Sequence, residues 1–491
     1  MDYSQLMSQL ETLSRVGEGI KVRKVLSELN ISRIPRPYKL GFANIARRNH
    51  QAFLALRILN TTVLARNPLS EPPTTEEIAE YSVSLLNIGA TREAKNLLRD
   101  LNDQEFNQVL LYRSFVAFTE WNYAEAVPWL KKFIRQERDE YQKVIGQVNL
   151  AAALNFTGDF NRSQRLLKII LSSTEKHGYH LLRGNALELS ALAAIGLKDY
   201  GLAKEYLSFA ANHLKNVRNL TDFYVKKWGV ILSLYKRVSN QSLEELSRLK
   251  REALVLRNWE SCRELDYFKS LFTKDQTLFT HVFFGTPYPA YRKKMLEEKW
   301  TNWCLPTEYI YKSEVVVEEE REVFDLAIGQ CDSKEIFLEP GQLMHNCLIL
   351  LVSDFYRPRA LGSLFSELFP DEVFNPNSSP DRIYQLIRRL RVWIKKNRLP
   401  ISLLESQGFY SIELKGNLAL RVPEEIKLAS KESVLMEKLV SHFGKKAFTA
   451  ADASRLLNLS RTSLQRFLTW AQLRKCIEKQ GSGPKLYYKI L

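Results

Sequence analysis

The sequence predicts a mainly α-helical chain: an α-solenoid of stacked helix pairs, followed by two small α+β modules. Three observations predict it. Apolar residues recur at helical spacing through the first 300 residues, and a turn-plus-helix unit returns along them. The pattern changes near residue 308, where β-rich runs appear. Residues 357–491 hold 24 Lys+Arg against 12 Asp+Glu, a balance of +12 that leaves only +4 of the chain's +16 for the rest.

At 491 residues and 45% apolar content, the chain has material for several cores and is no disordered polymer. A clustered cationic excess suits a polyanion, because each phosphate neutralised releases a counterion. A basic surface that only keeps the protein soluble accounts for the charge equally well at this point. The five cysteines, Cys262, Cys304, Cys331, Cys347 and Cys476, are scattered and odd in number. They fit a reducing compartment better than a disulfide framework or a zinc site. The N-terminus lacks the basic start and apolar run of a signal peptide, and no run of apolar residues is long enough to span a bilayer. A cytoplasmic protein without a membrane association is expected.

The repeating unit reads Gly89-Ala90-Thr91-Arg92-Glu93-Ala94, Trp121-Asn122-Tyr123-Ala124-Glu125-Ala126, Gly158-Asp159-Phe160-Asn161-Arg162-Ser163 and Lys198-Asp199-Tyr200-Gly201-Leu202-Ala203. A small residue follows three positions after the aromatic or Thr, and Leu98, Leu130, Leu167 and Leu207 come four further on. The small side chain lets two antiparallel helices approach closely. The aromatic plugs the turn, and the Leu shares the small residue's face and buries against the next pair. Successive small positions lie 32, 37 and 40 residues apart.

This pattern resembles tetratricopeptide repeats, best over residues 75–215, with a degenerate earlier unit around Phe53. Residues 221–298 stay helical in pattern but lose the signature. The resemblance implies a superhelix over residues 1–300 whose concave face binds a peptide or protein segment. A spacer or dimer scaffold is the plainer alternative.

Residues 308–421 form the second expected domain. Tyr309-Ile310-Tyr311, Val315-Val316-Val317, Val323-Phe324-Asp325-Leu326-Ala327 and Ile336-Phe337-Leu338 read as a small antiparallel sheet. Two apolar helices follow, 343–352 and about 360–369. The loop Asn375-Pro376-Asn377-Ser378-Ser379-Pro380 leads to Asp381, an expected N-cap. In the next helix Ile383, Ile387, Leu390 and Ile394 make one apolar stripe, while Gln385, Arg388, Arg389, Val392 and Lys396 face away. Arg and Gln on such a helix can read base edges in a major groove, with Lys holding phosphates. Residues 401–404 and 408–412 read as a hairpin. The stretch resembles the effector domain of OmpR/PhoB-type response regulators, a winged helix, in Val323-Phe324-Asp325-Leu326, Leu364-Phe365-Ser366-Glu367-Leu368-Phe369-Pro370, Ile387-Arg388-Arg389-Leu390-Arg391 and Gly408-Phe409. That resemblance implies that Arg388, Arg389 and Arg391 lie in or beside the DNA-facing part of the recognition helix. Glu405 and Trp393 depart from it, standing where basic residues are usual. No phosphoacceptor domain precedes the module, so control by phosphorylation is not implied.

Residues 431–491 repeat the outline in shorter form: a helix over 434–443 closed by Gly444, a helix capped by Thr449, and a third capped by Ser460. Leu464, Phe467, Leu468 and Ala471 form its apolar side, and Arg461, Thr462, Gln465 and Arg466 lie elsewhere on its first turns. A hairpin around Gln480-Gly481-Ser482-Gly483-Pro484 carries Lys479, Lys485 and Lys489. The arrangement resembles a generic bacterial winged helix, a module that binds DNA in some proteins and docks proteins in others.

Enzymatic signatures are missing. The Gly444-Lys445-Lys446 and 481–485 segments lack phosphate-loop spacing. His177 and His180 have no further ligands near them in sequence, and no nucleophile elbow stands out. No enzyme, cofactor or metal is expected. The sequence thus reads as a bacterial transcriptional regulator that binds double-stranded DNA with its tail, holds a peptide or protein in its repeat groove, and can pair as a homodimer. Known activators that join these module types usually carry the DNA module first; the order here is reversed. A non-enzymatic assembly subunit of the proteasome-lid (PCI) type and an RNA-binding protein are the alternatives.

Overall fold

A computed structural model describes residues 2–15, 18–64, 71–214, 220–299, 304–313, 322–332, 335–425, 428–483 and 486–491. The chain divides into two compact units. Unit 1 comprises Met1–Cys304, Asp354–Ile383 and Ser406–Tyr410; unit 2 comprises Leu305–Ser353, Tyr384–Glu405 and Ser411–Leu491. The stretch 308–421, expected as one domain, is shared between them.

Unit 1 is an array of helices: α1 Tyr3–Arg15, α2 Gly19–Ser27, α3 Arg36–Arg48, α4 Ala52–Val63, α5 Thr75–Asn87, α6 Thr91–Arg99, α7 Gln108–Thr119, α8 Tyr123–Gln136, α9 Glu140–Phe156, α10 Phe160–His177, α11 His180–Gly196 and α12 Tyr200–Leu214. It continues with α13 Leu220–Lys236, α14 Asn240–Val255, α15 Trp259–Thr273, α16 Gln276–Phe284 and α17 Pro289–Glu298. The repeat signature predicts its register closely. Thr91, Tyr123, Phe160 and Tyr200 are the first residues of α6, α8, α10 and α12. The small positions Ala94, Ala126, Ser163 and Ala203 are all fully buried, and Leu98, Leu130, Leu167 and Leu207 are buried with them. Phe160 does plug a turn: a Cβ on Gly196, the last residue of α11, would lie 2.4 Å from its ring.

One turn recurs before α4, α6, α8, α10, α12 and α15. His50, Gly89, Trp121, Gly158, Lys198 and Arg257 each adopt a left-handed backbone two residues ahead of the helix. In every case the next residue's N–H donates to the carbonyl five positions back, as in Gln51 to Ala46, Asp159 to Leu154 and Asn258 to Ala253. This is the Schellman closure, which satisfies carbonyls that the end of a helix leaves bare. The turn before α15 lies where the sequence signature has faded, so the backbone device outlasts the side-chain pattern. The earliest unit registers on Ala52 rather than Phe53: Ala55 and Leu59 are buried, and Phe53 is exposed.

Residues 354–383 add β4 (Arg359–Ala360) and α19 (Leu361–Leu368) to unit 1, β4 pairing with Phe409 and Tyr410. Gly362 sits against the α5–α6 turn, where a Cβ would meet the Ile88 carbonyl at 2.5 Å. Phe374 is buried beyond it. Its N–H donates to Glu93 at 2.8 Å and its carbonyl accepts from the Tyr81 hydroxyl at 3.2 Å.

Unit 2 opens with β1 Glu308–Lys312, β2 Glu322–Asp325 and β3 Gln330–Cys331, and its next helix is α18 Leu343–Val352. Most of α20 (Ser379–Lys396), much of the hairpin β5 Ile401–Ser406 and β6 Phe409–Leu414, and all of β7 Leu418–Pro423 follow. Among the early strands only β2 and β3 pair antiparallel, and the sheet is mixed rather than the small antiparallel sheet expected. The strand order is β1-β7-β2-β3, with β7 antiparallel to β1 and parallel to β2. The reason lies in β7 itself: Leu418, Ala419, Leu420 and Val422 are buried, a near-continuous apolar run that belongs in the middle of a sheet. Phe337 contributes only an isolated bridge to Gln330. Val315-Val316-Val317 and the end of the turn after Asp332 lie outside the described residues.

The last part of unit 2 is α21 Lys431–Phe443, α22 Ala450–Leu457, α23 Arg461–Leu473, β8 Ile477–Gln480 and β9 Tyr487–Ile490. The two strands are antiparallel, and Phe448 bridges to Tyr488 beside them. Leu439, Phe448, Ala453, Phe467, Leu468 and Ile477 form its core.

Candidate nucleic-acid interface

The part of α20 from Tyr384 onward and α23, both in unit 2, carry the residues singled out from the sequence. In α20 the apolar stripe is as expected: Ile383, Ile387, Leu390 and Ile394 are buried, joined by Leu386. The opposite side is exposed at Gln385, Arg388, Arg389, Val392 and Lys396. Asp381 is not the N-cap; the helix begins at Ser379 and places Asp381 in its first turn, where a carboxylate still suits the helix dipole.

The cations along α20 differ in how they are held. Arg382, in unit 1, stacks on the Phe369 ring at 3.8 Å and pairs with Glu372, so it is fastened. Arg391 donates to the Leu403 carbonyl of β5 at 3.2 Å. It therefore positions the hairpin beside the helix, and its fork is only partly available to a ligand. Arg388, Arg389, Lys395 and Lys396 have no acidic partner among the described residues. Lys395 and the half-exposed Tyr384 extend this face and escaped the sequence reading, although helical spacing from Arg388 would have placed Tyr384 there. Trp393 departs from the basic pattern for a packing reason: its ring meets Phe324 of β2 edge-on at 6.1 Å. The hairpin after α20 turns through Gln407 and Gly408, both with positive φ, a two-residue turn whose twist suits paired strands.

In α23, Ser460 accepts from the Ser463 N–H at 3.3 Å and fixes the first turn. Arg461, Thr462, Gln465 and Arg466 are exposed, and with Thr469, Trp470 and Leu473 they line an open concavity of about 730 Å³. Arg461 and Arg466 have no acidic partner among the described residues. Lys479 and Lys489 are exposed on the β8–β9 hairpin; Lys485 lies outside the described residues. No group of His, Cys, Asp and Glu that could hold a metal ion, and no helix long and apolar enough to cross a membrane, occurs among the described residues.

No family model matches the chain, and no curated protein does. Among solved structures it resembles a Rap protein complexed with competence and sporulation factor, at 12% identity and a TM-score of 0.42, over 80% of this chain and 98% of that one. It also resembles the apo form of RapI, at 15% identity and a TM-score of 0.38, over 60% and 88% of the two chains. Neither likeness bears on what the exposed faces of α20 and α23 do.

Proposed function

We propose that this chain is a DNA-binding transcriptional regulator. The elements around α20 and those around α23 act as winged helices, and the helical repeat receives a peptide or protein partner. The observation that carries this reading is the exposed side of α20: Gln385, Arg388, Arg389 and Lys396 form one stripe, opposite a fully apolar one and without acidic partners among the described residues. Side chains of this kind donate to base edges and phosphates, and cations left free of internal pairs release counterions when they meet them.

The test is duplex-DNA binding by anisotropy across about 50 to 200 mM salt. Affinity should fall steeply with salt. Arg388→Ala combined with Arg389→Ala should weaken binding by roughly 10- to 100-fold and flatten the salt slope by about two charges, with the melting temperature unchanged. Equal affinity in the double variant would move the DNA surface elsewhere. One observation favours a second reading for the tail module alone: Leu473 is 81% exposed on the same face of α23 as the half-buried Trp470. An apolar edge there suits protein docking, as in an assembly subunit. Salt-insensitive co-purification with a large complex, or preference for RNA over duplex DNA in competition, would replace the regulator reading.

A further inference from the structure

Within unit 1, four consecutive residues without regular secondary structure, Asp354-Phe355-Tyr356-Arg357, are each met by their own receptor on α15, α16 and the start of α17. The Asp354 carboxylate accepts from Arg263 Nη2 through both oxygens, at 2.8 and 2.7 Å. Arg263 is completely buried, pairs also with Glu260, and lies over the Tyr288 ring at 4.9 Å and the Tyr356 ring at 5.5 Å. The Phe355 ring sits on the backbone of Gly285, where a Cβ would come within 2.5 Å of it, and 5.1 Å from the His281 ring. The Phe355 N–H donates to the Gly285 carbonyl at 3.2 Å. The Tyr356 hydroxyl donates to Asp266 Oδ2 at 2.9 Å, an oxygen that Lys250 also holds at 2.7 Å. Burial disfavours the Arg357 charge, and Tyr288 and Glu260 beside it favour that charge and outweigh the burial.

An acid, an aromatic ring, a phenol and a cation are thus read one by one, largely through side chains, with the Phe355 N–H adding a backbone bond to the Gly285 carbonyl. That is how a repeat surface reads a peptide, and it differs from ordinary core packing, where an apolar pair would stabilise as well as a buried ion pair. It also imposes a rule on any competitor. A peptide that offers a carboxylate keeps Arg263 paired. One that lacks it leaves a buried guanidinium short of a partner, and is rejected for that reason.

We propose that the Arg263 cradle is a peptide-binding site, filled in this structure by the chain's own residues 354–357 and open in trans to a partner segment of the pattern acid, aromatic, Tyr, Arg. This rests on the reading that the repeat receives a peptide, and it supplies the chemistry of that partner. The own segment competes at the high effective concentration of a tether, so an external peptide must be supplied at about 1 mM or be favoured by weakening the tether.

The experiment uses the full chain and a synthetic heptapeptide with the sequence of residues 353–359, Ser-Asp-Phe-Tyr-Arg-Pro-Arg. Hydrogen exchange at the amides of Phe355, Tyr356 and Arg357 should accelerate by about tenfold or more in the presence of about 1 mM peptide, as the segment is displaced. The same peptide with Asn in place of Asp should have no such effect. A Tyr356→Ala chain, which loosens the segment but keeps Arg263 paired, should bind the Asp peptide about tenfold more tightly than the wild type. Unchanged exchange in the wild type, or equal effects of the Asp and Asn peptides, overturns the proposal even where the variant does not fold. DNA affinity measured on the same preparation separates the two ideas. DNA binding without a peptide effect sinks only the cradle; a peptide effect without DNA binding sinks only the regulator.

Discussion

Four arginines of unit 1 and four of unit 2 are used in opposite ways. In unit 1 four guanidinium groups are fastened, although Arg57, Arg135, Arg165 and Arg251 there stand exposed without acidic partners among the described residues. Arg36 bonds Glu77 and the carbonyls of Glu71 and Pro72, and Arg47 pairs with Glu80. Arg113 donates to the carbonyls of Leu98, Arg99 and Leu101 where α6 ends, and Arg263 is enclosed by Asp354, Glu260 and two rings. In unit 2, Arg388, Arg389, Arg461 and Arg466 are exposed without acidic partners among the described residues. Arg421 is the counterexample that defines the rule there, since Asp325, Asp332 and Glu308 surround it and make it part of the sheet. A count of charges therefore says little about binding until each cation has been asked whether its partner is already inside the molecule.

The contrast breaks most directly at Arg263. Arg263→Met leaves the buried Asp354 carboxylate without its cation and should destabilise unit 1 by about 3–5 kcal/mol. Arg388→Ala should change stability by less than about 0.5 kcal/mol. Denaturant unfolding of both variants checks this, and shifts of equal size would erase the distinction between the units. A smaller effect is expected at Gly196. Gly196→Ala drives a methyl group to within 2.4 Å of the Phe160 ring and should destabilise by about 1–3 kcal/mol. Gly229→Ala, in α13 with open space around it, should instead stabilise by up to about 1 kcal/mol.

The sequence carried the repeat register because that register is local. A small residue three positions after the helix start, and a Leu four beyond, are demanded by close helix packing wherever the pair sits in space. It missed what depends on distant partners. The Schellman turn at Arg257 has no distinctive residue, since Arg, Lys, His, Trp and Gly all occupy the left-handed position in this chain. The place of β7 between β1 and β2 is a pairing across 96 to 115 residues, invisible to periodicity. For the candidate interface, the helical wheel sufficed to find the exposed faces of α20 and α23. It could not tell that Arg391 is drawn to the Leu403 carbonyl, because that bond depends on where the hairpin folds back.

On the side of unit 2, the α23 face gives the next test. Arg461→Ala with Arg466→Ala should reduce DNA affinity by about tenfold at fixed salt and flatten the salt slope by about two charges, with stability unaltered. If only the Arg388 and Arg389 pair matters for DNA, the apolar edge of Trp470 and Leu473 becomes the more telling feature of α23, and that module docks protein.

A last test concerns acids rather than arginines, and it sharpens the same comparison. Burial pushes the Glu93 carboxyl of unit 1 up to about 7, against the Phe374 N–H and Arg92, which favour its charge. In unit 2 the Thr449 backbone and hydroxyl hold the exposed Asp452 below the usual carboxylate range. The two should respond to pH with opposite sign. The folded chain holds a proton on Glu93 over a window where the unfolded chain has lost it, so that contribution to stability is full below the ordinary carboxylate range and is lost as pH rises through about 7. The contribution of Asp452 is present above its unfolded value and is lost as pH falls through its lowered one. Glu93→Gln keeps an acceptor for the Phe374 N–H but cannot ionise. Its unfolding midpoint should decline less between about pH 5 and 8 than that of the wild type, the remaining slope coming from the Glu188 carboxyl, which burial also pushes up to about 7. A wild-type midpoint that rises across that window would place an ionised, stabilised carboxylate at Glu93 and remove the asymmetry between the two units' acids.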